Sequence, residues 1–194
     1  MCMSKRQQQK EETKNRIVEV AYTIYSQKGF SATTADIAKA AKVSHGTIFA
    51  HFNTLNELLI YLINDFGDKL GRRLHELAEN SHDIKEVLEA HLNVIEEYED
   101  FYKRFISETS LLPIEVRNIF VVIQSTLSFH FNKVLEKEIL KEKIKNIPTS
   151  MIFNTWVGLL HYYLQNSDLF SPNESVIERY RDDLIDSFLK LIYI

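Results

Sequence analysis

The sequence predicts an all-α protein, with an N-terminal three-helix helix-turn-helix domain followed by a larger helical bundle, about nine helices in total. Glycine and proline, the residues that most often interrupt helices, number only five and three in 194 residues. Apolar residues recur at helical spacing, and no segment shows the alternation expected of a β-strand. Long helices joined by few turns explain both observations.

A glycine marks the end of helix 1, and a capping motif marks the beginning of helix 2. Helix 1 is predicted from about Glu11 to Lys28, where apolar residues repeat every three or four positions and Gly29 provides the stop. Helix 2 is predicted to begin at Thr33, because a hydroxyl followed three residues later by the carboxylate of Asp36 forms a capping box.

A short turn at Lys42-Val43 leads to helix 3, for which Ser44 is a good N-cap and Phe52 an approximate end. Three short helices with this turn before the third are the layout of a helix-turn-helix, whose third helix enters the major groove of DNA. Residues near the start of helix 3 would then face DNA, and apolar residues would hold it against helices 1 and 2. The first group is Ser44, His45, Gly46, Thr47 and Phe49, and the second is Val43, Ile48 and Phe52.

Helix 4 is predicted to begin at a second capping box, Thr54 to Glu57, and to be kinked or interrupted by Gly67 and Gly71. No flexible linker precedes it, and helix 4 itself connects a helix-turn-helix DNA-binding domain, 1–56, to a second helical domain, 57–194. Further helices are predicted at about 83–98, 99–110, 114–142, 148–165 and 173–192. The last is expected to use Ser171 as its N-cap, with Pro172 and Glu174 in its first turn.

The net charge of −4 is unevenly distributed. Residues 1–56 contain eight Lys or Arg and four Asp or Glu, a net charge of +4, whereas the remainder carries −8. A basic module on an acidic body suits a polyanionic partner at one end only. A chance excess of lysine in the N-terminal tail would explain the same charges, so charge alone does not decide.

Several functional classes receive no support from the sequence. The single cysteine, Cys2, allows no intrachain disulfide, which fits a reducing compartment. The polar N-terminus does not resemble a signal peptide, and the most apolar stretch, Met151 to Leu164, is too short to span a bilayer. We therefore expect a cytoplasmic protein with no membrane partner.

The sequence also lacks the motifs that are typical of catalytic sites and metal sites. The sequence has no glycine-rich phosphate loop, no nucleophile elbow and no Cys/His cluster. Its seven histidines include no pair spaced three or four residues apart, so no helical metal site is indicated. We expect no catalytic residues, no metal and no cofactor.

The segment from Ile17 to Leu59 reads IVEVAYTIYSQKGFSATTADIAKAAKVSHGTIFAHFNTLNELL. It resembles the Tet repressor family, whose pattern begins with an amphipathic helix ending in Lys-Gly-aromatic. Next come Ala-Thr-Thr-x-x-Ile-Ala and Ala-Gly-Val-Ser-x-Gly-Thr-aromatic-Tyr-x-His-Phe, and finally a charged turn before Glu-Leu-Leu. The resemblance covers about 45 of 194 residues and is specific in order and spacing. It implies a ligand-responsive transcriptional regulator, a repressor released from palindromic double-stranded DNA by a small, largely apolar effector.

The resemblance also implies individual roles in DNA binding. Thr34 would bind a phosphate at the start of helix 2, Gly46 would allow close approach of the backbone, and His51 would contact phosphate. Bases or neighbouring phosphates would be contacted by Ser44, His45 and Thr47. Two residues depart from the family pattern: Phe49 lacks the usual tyrosine hydroxyl, and Leu55 replaces the usual lysine. The basic tail, Lys5, Arg6, Lys10 and Lys14, can compensate for both losses.

In the body, the resemblance implies an effector cavity and a homodimer. Most of its aromatic residues are expected to form an ordinary helical core. Candidates for lining the cavity are Tyr98, Phe105, Gln124 and Trp156, with His130 and His161 as further hydrogen-bonding groups. A four-helix dimer interface is implied for the last two helices, with the candidates Ile152, Trp156, Leu159, Leu160, Tyr163, Tyr180, Leu184 and Phe188.

Two alternatives remain open at the level of sequence. One is an adaptor that keeps this fold but activates transcription by binding another protein, which the departures at Phe49 and Leu55 allow. The other is an enzyme with a helical body, which the missing catalytic residues make the weaker hypothesis. The operator, the effector, the regulated genes and the sign of regulation are not given by the sequence.

Overall fold

The computed structural model describes residues 4–80 and 83–194, apart from the side chains of 77–80. These residues form ten α-helices and one short 3₁₀ helix, and they contain no β-strand. The predicted all-α class is therefore confirmed. The helices are α1 (Lys5–Lys28), α2 (Thr34–Ala41), α3 (His45–Phe49), α4 (Leu55–Asn80), α5 (Ile84–Glu97), α6 (Glu99–Glu108), the 3₁₀ helix (Thr109–Leu111), α7 (Ile114–Leu140), α8 (Thr149–Gln165), α9 (Ser167–Phe170) and α10 (Val176–Ile192).

The chain divides into two compact units, and neither is one continuous segment of the sequence. The first unit contains the chain up to Asp65 together with Asp100–Arg117. The second contains Phe66–Glu99 and Asn118–Ile194. The reason is that α6, although distant in sequence, packs its aromatic side chains against α1.

The core of the first unit is built where α1 ends. Phe30 stacks on Tyr25, with ring centroids 5.1 Å apart, and meets the edges of Phe101 and Phe105 at 5.6 and 6.1 Å. Gly29 makes this turn possible because its φ of 74° lies in the left-handed region. The three-helix module is therefore held in part by a helix from the middle of the chain.

The core of the second unit centres on Trp156, which is fully buried. Its ring lies 5.2 Å from that of Phe188 on α10, and Phe188 lies 6.2 Å from Phe131 on α7. The Trp156 indole N–H donates a hydrogen bond of 3.0 Å to Nδ1 of His91 on α5. Burial, and to a lesser degree the charge of His161, lowers the pKa of His91 to about 3, so this imidazole is neutral in the folded protein.

Four predicted helix boundaries or breaks are wrong. Helix α1 begins at Lys5 rather than at Glu11, because Ser4 forms a capping box with Gln7. Helix α4 runs without interruption through Gly67 and Gly71, and the last helix begins at Val176 rather than after Ser171. The predicted end of helix 3 is also late by three residues, since α3 ends at Phe49.

The described residues contain neither a candidate membrane span nor a candidate metal cluster. No helix in 4–80 or 83–194 is long and apolar enough to cross a membrane. In the same residues, no group of three or more His, Cys, Asp or Glu side chains is placed to hold a metal ion. Cys2, the single cysteine of the sequence, lies outside the described residues.

Candidate nucleic-acid interface

Local caps fix the start of both helices in the helix-turn-helix. The Thr33 hydroxyl accepts a hydrogen bond from the backbone N–H of Asp36, and the Asp36 carboxylate accepts one from the Thr33 N–H, as the sequence predicts. The Ser44 hydroxyl accepts from the Thr47 N–H at 3.1 Å and lies 2.9 Å from the Thr47 hydroxyl. Hydrogen bonds to Lys28, then to Thr33, keep the pKa of Asp36 well below its usual range.

The turn between α2 and α3 contains a residue that sequence reasoning missed. Lys42 caps the C-terminus of α2 in the left-handed conformation, with φ 55° and ψ 44°. A side chain in this region is strained by about 1 kcal/mol or more relative to glycine. The family pattern places glycine in this type of turn, so comparing Lys42 with that pattern would have identified it.

Helix α3 has one buried face and one exposed face. Ile48 and Phe52 are buried at 1% and 3% exposure, and Phe52 meets the edge of the Tyr61 ring at 5.5 Å. Ser44, His45 and Gly46 are exposed in the first turn. Helix α3 therefore presents its N-terminal turn to solvent, as a recognition helix must.

The other candidates for DNA contact lie in the same unit with differing exposure. Thr34, the first residue of α2, and Thr47 are half-buried. Phe49 leaves 46% of its surface exposed, which places it at the edge of the core. His51 is half-buried and follows the end of α3 rather than lying on it. Their contacts with DNA remain predictions.

Helix α6 holds the end of α1 through two side chains one turn apart. The Arg104 Nε donates to the carbonyl of Ser26 at 3.3 Å, and the Glu108 carboxylate accepts from the Phe30 N–H at 2.9 Å. A Cβ on Gly29 would lie 2.5 Å from the Glu108 Oε1. This anchoring of the helix-turn-helix was missed, because nothing in the sequence pairs α6 with a turn 78 residues earlier.

Beside the end of α3 lies an open cleft of about 400 Å³. Gln7, Lys10, Glu11 and Lys14 of α1 line one side, and Ala50 and His51 line the other. Burial, then the charges of Lys10 and Lys14, lowers the pKa of His51, and Glu11 opposes this shift. The Lys14 Nζ lies 4.2 Å from the centroid of the Tyr61 ring, a cation–π distance.

The four predicted cavity residues do not share one environment. Phe105 is fully buried in the first unit against Phe30, so it does not belong to the core that contains the other three. In the second unit, the Tyr98 hydroxyl accepts from Lys69 at 2.5 Å, Trp156 bonds to His91, and Gln124 is half-buried. His130 is buried there, and burial lowers the pKa of His161 to about 4.

The predicted dimer residues divide into two groups. Leu159, Tyr163 and Tyr180 are half-buried and retain exposed area. The other five are at most 2% exposed and pack inside their own unit, so they are not surface residues that a second copy could meet: Ile152, Trp156, Leu160, Leu184 and Phe188. A broad apolar stripe on a helix includes both its core face and its outer face, and the sequence does not separate them.

Comparison with known proteins agrees with the arrangement of the first unit. Residues 17–62 match the family described as bacterial regulatory proteins, tetR family. The chain is 37% identical over 70 residues to the HTH-type transcriptional repressor Rv3405c of Mycobacterium tuberculosis, which is 36% of this chain and 37% of that protein. The match therefore spans little more than a third of the length of this relative.

The whole fold is similar to solved regulator structures of low sequence identity. The ketosteroid transcriptional regulator KstR2 of Mycobacterium tuberculosis has a TM-score of 0.77 at 16% identity, covering 93% of this chain and 94% of that one. The transcriptional regulator FadR of Bacillus subtilis, solved in complex with stearoyl-CoA, has a TM-score of 0.71 at 18% identity, covering 91% and 95%. At these identities the likeness establishes the fold.

Proposed function

Since this chain belongs to the tetR family of bacterial regulatory proteins, we propose that it is a ligand-responsive DNA-binding transcriptional regulator. The observation that carries the proposal is helix α3, whose first turn is exposed while Ile48 and Phe52 anchor its other face. This is the geometry in which a helix can lie in the major groove with its N-terminal residues at the base edges. The activity is repression, relieved by an effector.

We assign the contacts as follows. His45 and Thr47 meet base edges, and Ser44 acts as both helix cap and phosphate ligand, because both roles use the helix N-terminus. Thr34 binds a phosphate at the start of α2, and His51 binds one beyond α3. Gly46 lets the backbone approach DNA, since a side chain there would project from the exposed turn.

The effector belongs to the second unit and is small and largely apolar. The aromatic and aliphatic core around Trp156 supports this chemistry, because ligand cavities are mostly apolar with a few polar groups. FadR of Bacillus subtilis, which shares the fold, binds stearoyl-CoA in its crystal structure. Tyr98, Gln124 and Trp156 remain the candidates for contact within this unit.

The regulator acts as a homodimer on a palindromic operator, since two recognition helices must meet two half-sites. A protein that reads bacterial chromosomal DNA works in the cytoplasm. The relative Rv3405c is a transcriptional repressor by name, and we propose a regulatory, non-enzymatic role for this chain.

The DNA half of the proposal is tested with the promoter upstream of its own gene. We expect the wild-type protein to retard this fragment in a gel-shift assay, with affinity that falls steeply as salt rises. His45→Ala or Thr47→Ala should weaken binding to this fragment by about 1–3 kcal/mol and reduce the preference over mixed-sequence DNA. Lys85→Gln, an exposed change on α5, is the control. No retardation of any duplex at low salt would contradict the proposal and favour the adaptor.

The ligand half is tested by linkage. Trp156 is the single tryptophan and is fully buried, so its fluorescence reports binding in the second unit. A library of apolar acids, acyl thioesters and sterols is screened by this signal, and hits are titrated with and without the promoter fragment. Ligand and DNA should weaken each other by the same factor, typically about 1–3 kcal/mol. Independent affinities would show that the bound compound is not an effector.

A further inference from the structure

His91 of α5 is a histidine in the core of the second unit, with only 2% of its surface exposed. Its Nδ1 lies 3.0 Å from the indole nitrogen of Trp156. An indole N–H can only donate a hydrogen bond, so Nδ1 is the acceptor and carries no proton. Burial lowers the pKa of His91 to about 3, so the imidazole is neutral and its single proton lies on Nε2. The opposite side of the ring is therefore a hydrogen-bond donor.

The Nε2–H group of His91 has no hydrogen-bond acceptor within the described part of the chain. A buried donor in this state is rare in folded proteins, because it has lost its hydrogen bonds to water and gained none in return. The side chains one turn away on α5, Leu88 and Ile95, are apolar and fully buried. On α8 and α10, the rings of Trp156 and Phe188 pack 5.2 Å apart. An unpaired donor in such apolar surroundings indicates a ligand that brings its own acceptor.

The electrostatic surroundings of His91 disfavour a charged ligand. The pKa of His91 is lowered by burial and then by His161, and burial lowers the pKa of His161 itself to about 4. Both imidazoles are therefore neutral, and no carboxylate or ammonium group of the described residues alters the pKa of His91. A charged ligand group placed here would lose its hydration without gaining an ionic partner. An uncharged acceptor avoids this cost and still forms a hydrogen bond with Nε2–H.

We propose that His91 recognises an uncharged carbonyl group of the effector, through a hydrogen bond from Nε2–H to the carbonyl oxygen. The inference rests on the proposed function and specifies the chemistry of the effector: a largely apolar ketone, ester or thioester rather than a hydrocarbon, an acid or an amine. The apolar part of such a molecule packs against the core side chains, and the carbonyl fixes its orientation. His91 thus determines specificity, whereas the apolar contacts provide most of the affinity.

Matched compounds that differ only in the acceptor isolate this hydrogen bond. Acetophenone and α-methylstyrene have the same shape, with a carbonyl oxygen in the first and a methylene group in the second. Benzoate carries a carboxylate on the same ring. Undecyl methyl ketone and its methylene analogue form a second pair, for a longer site. Trp156 is the single tryptophan, so its indole N–H gives a single NMR resonance beside His91 that reports each titration.

The measured quantity is the carbonyl selectivity, the ratio of the ketone affinity to the affinity of its methylene analogue. His91→Phe should lower this ratio about tenfold, because the ketone loses its donor while its cost of leaving water is unchanged. His91→Gln, which can accept from Trp156 and donate to the carbonyl, should keep most of the selectivity. Leu88→Met, an apolar change of similar volume one turn away, is the control and should leave the ratio unchanged.

A second measurement needs no substitution. In wild-type protein with isotope-labelled histidine, acetophenone should move the Nε2–H resonance of His91 downfield, and α-methylstyrene should not. A purely structural role of His91 predicts neither result, since His91→Phe would then weaken both members of each pair alike. An unchanged ratio in His91→Phe, or wild-type protein that binds neither ketone, would overturn the inference. Tighter binding of benzoate than of acetophenone would also overturn it, because the ligand group would then be an anion.

The proposed function is judged separately, by whether a bound compound weakens promoter binding. A compound that releases the promoter and binds His91→Phe as tightly as wild type would leave the regulator intact and remove the role of His91. Ketones that show the expected ratio but leave promoter affinity unchanged would support the carbonyl site and contradict the ligand half of the proposed function.

Discussion

His51 is the residue at which burial, charge and the proposed phosphate contact meet. In the free protein its pKa is lowered by burial and by Lys10 and Lys14, with Glu11 acting in the opposite direction. Both effects favour the neutral imidazole in the free protein. A phosphate placed beside it favours the charged form and raises the pKa again.

These opposite shifts of the pKa predict that His51 takes up a proton when the protein binds DNA. Affinity should rise as pH falls through the window between the higher pKa of His51 in the complex and its pKa in the free protein, which lies below the usual value. One proton changes affinity by at most about tenfold per pH unit. Anisotropy titrations at constant ionic strength measure the DNA affinity at each pH.

The matched variants are His51→Gln and His45→Gln. His51→Gln should flatten the pH dependence of DNA affinity, whereas His45→Gln should retain the pH dependence that His51 causes. An equal pH dependence in wild type and His51→Gln would show that this imidazole does not bind phosphate.

The residues that the sequence could predict are those whose role is local. Thr33 and Ser44 act through hydrogen bonds to residues three positions away, so a short pattern contains the whole interaction. Glu108 could not be found in this way, since its partner Phe30 lies 78 residues earlier. The left-handed Lys42 was missed for a different reason: only comparison with a glycine in the family pattern marks it.

At the scale of helices, the start of α10 shows two capping signals in competition. Ser171 and Ser175 each begin a Ser-x-x-Glu pattern. The structure uses the second, in which the Ser175 hydroxyl accepts from the Glu178 N–H at 3.0 Å. The decisive partner is the buried Glu99, whose carboxylate accepts from the N–H groups of Val176 and Ile177 and from the Ser175 hydroxyl.

Three substitutions test which residues begin this helix. Ser175→Ala should lower the free energy of unfolding by about 1 kcal/mol, the usual cost of an N-cap. Glu99→Gln should cost about 2 kcal/mol, because it weakens charge-assisted hydrogen bonds to buried donors. Ser171→Ala is the matched control, since its hydroxyl makes only a 3.4 Å contact with the Ser175 carbonyl. Urea unfolding followed by Trp156 fluorescence measures all three. A larger cost for Ser171→Ala than for Ser175→Ala would contradict this start of α10.

The glycines of α4 show why a break was wrongly predicted. A Cβ on Gly67 would lie 2.6 Å from the Ile123 side chain of α7, and one on Gly71 would lie 3.8 Å from Thr126. Gly67 therefore allows two helices of the second unit to approach closely, and the helix continues through it. The sequence shows that a glycine is present, but it does not show whether the glycine allows a bend in the helix or a close contact with another helix.

At the scale of the whole molecule, the compact units are not continuous segments of the sequence. The helix-turn-helix could be predicted because its 46 matched residues, 17–62, are contiguous. The compact first unit also takes Asp100–Arg117, through Phe101 and Phe105. Long-range packing of this kind leaves only an amphipathic helix in the sequence, and that pattern does not specify its partner.

The homodimer predicted for this protein needs a surface other than the five buried side chains first assigned to it. Helix α8 contains no Asp, Glu, Lys or Arg in its 17 residues. Its exposed face follows the spacing of four, three and four residues, with Met151 and Tyr162 more than half exposed. The members of this face, the α8 outer face, are Met151, Thr155, Gly158 and Tyr162.

An uncharged outer face on an otherwise charged protein is typical of a surface that meets another chain. Gly158 lies at its centre, and a Cβ there would meet nothing within 4 Å in the protomer. A substitution at this position therefore leaves the protomer intact and acts on a partner. Two protomers joined here would give a dimer with two recognition helices, which an operator requires at about 34–36 Å or a multiple of it.

We expect light scattering to give a dimer for the wild-type protein at micromolar concentration. Gly158→Arg places a large cation in the α8 outer face and should shift the protein toward monomer, with a parallel loss of promoter affinity, because a monomer contacts one half-site only. Ser107→Arg, which adds the same side chain at an exposed position of α6, is the control and should remain dimeric. A wild-type monomer that still binds its promoter would overturn the homodimer, and a dimeric Gly158→Arg would move the interface away from α8.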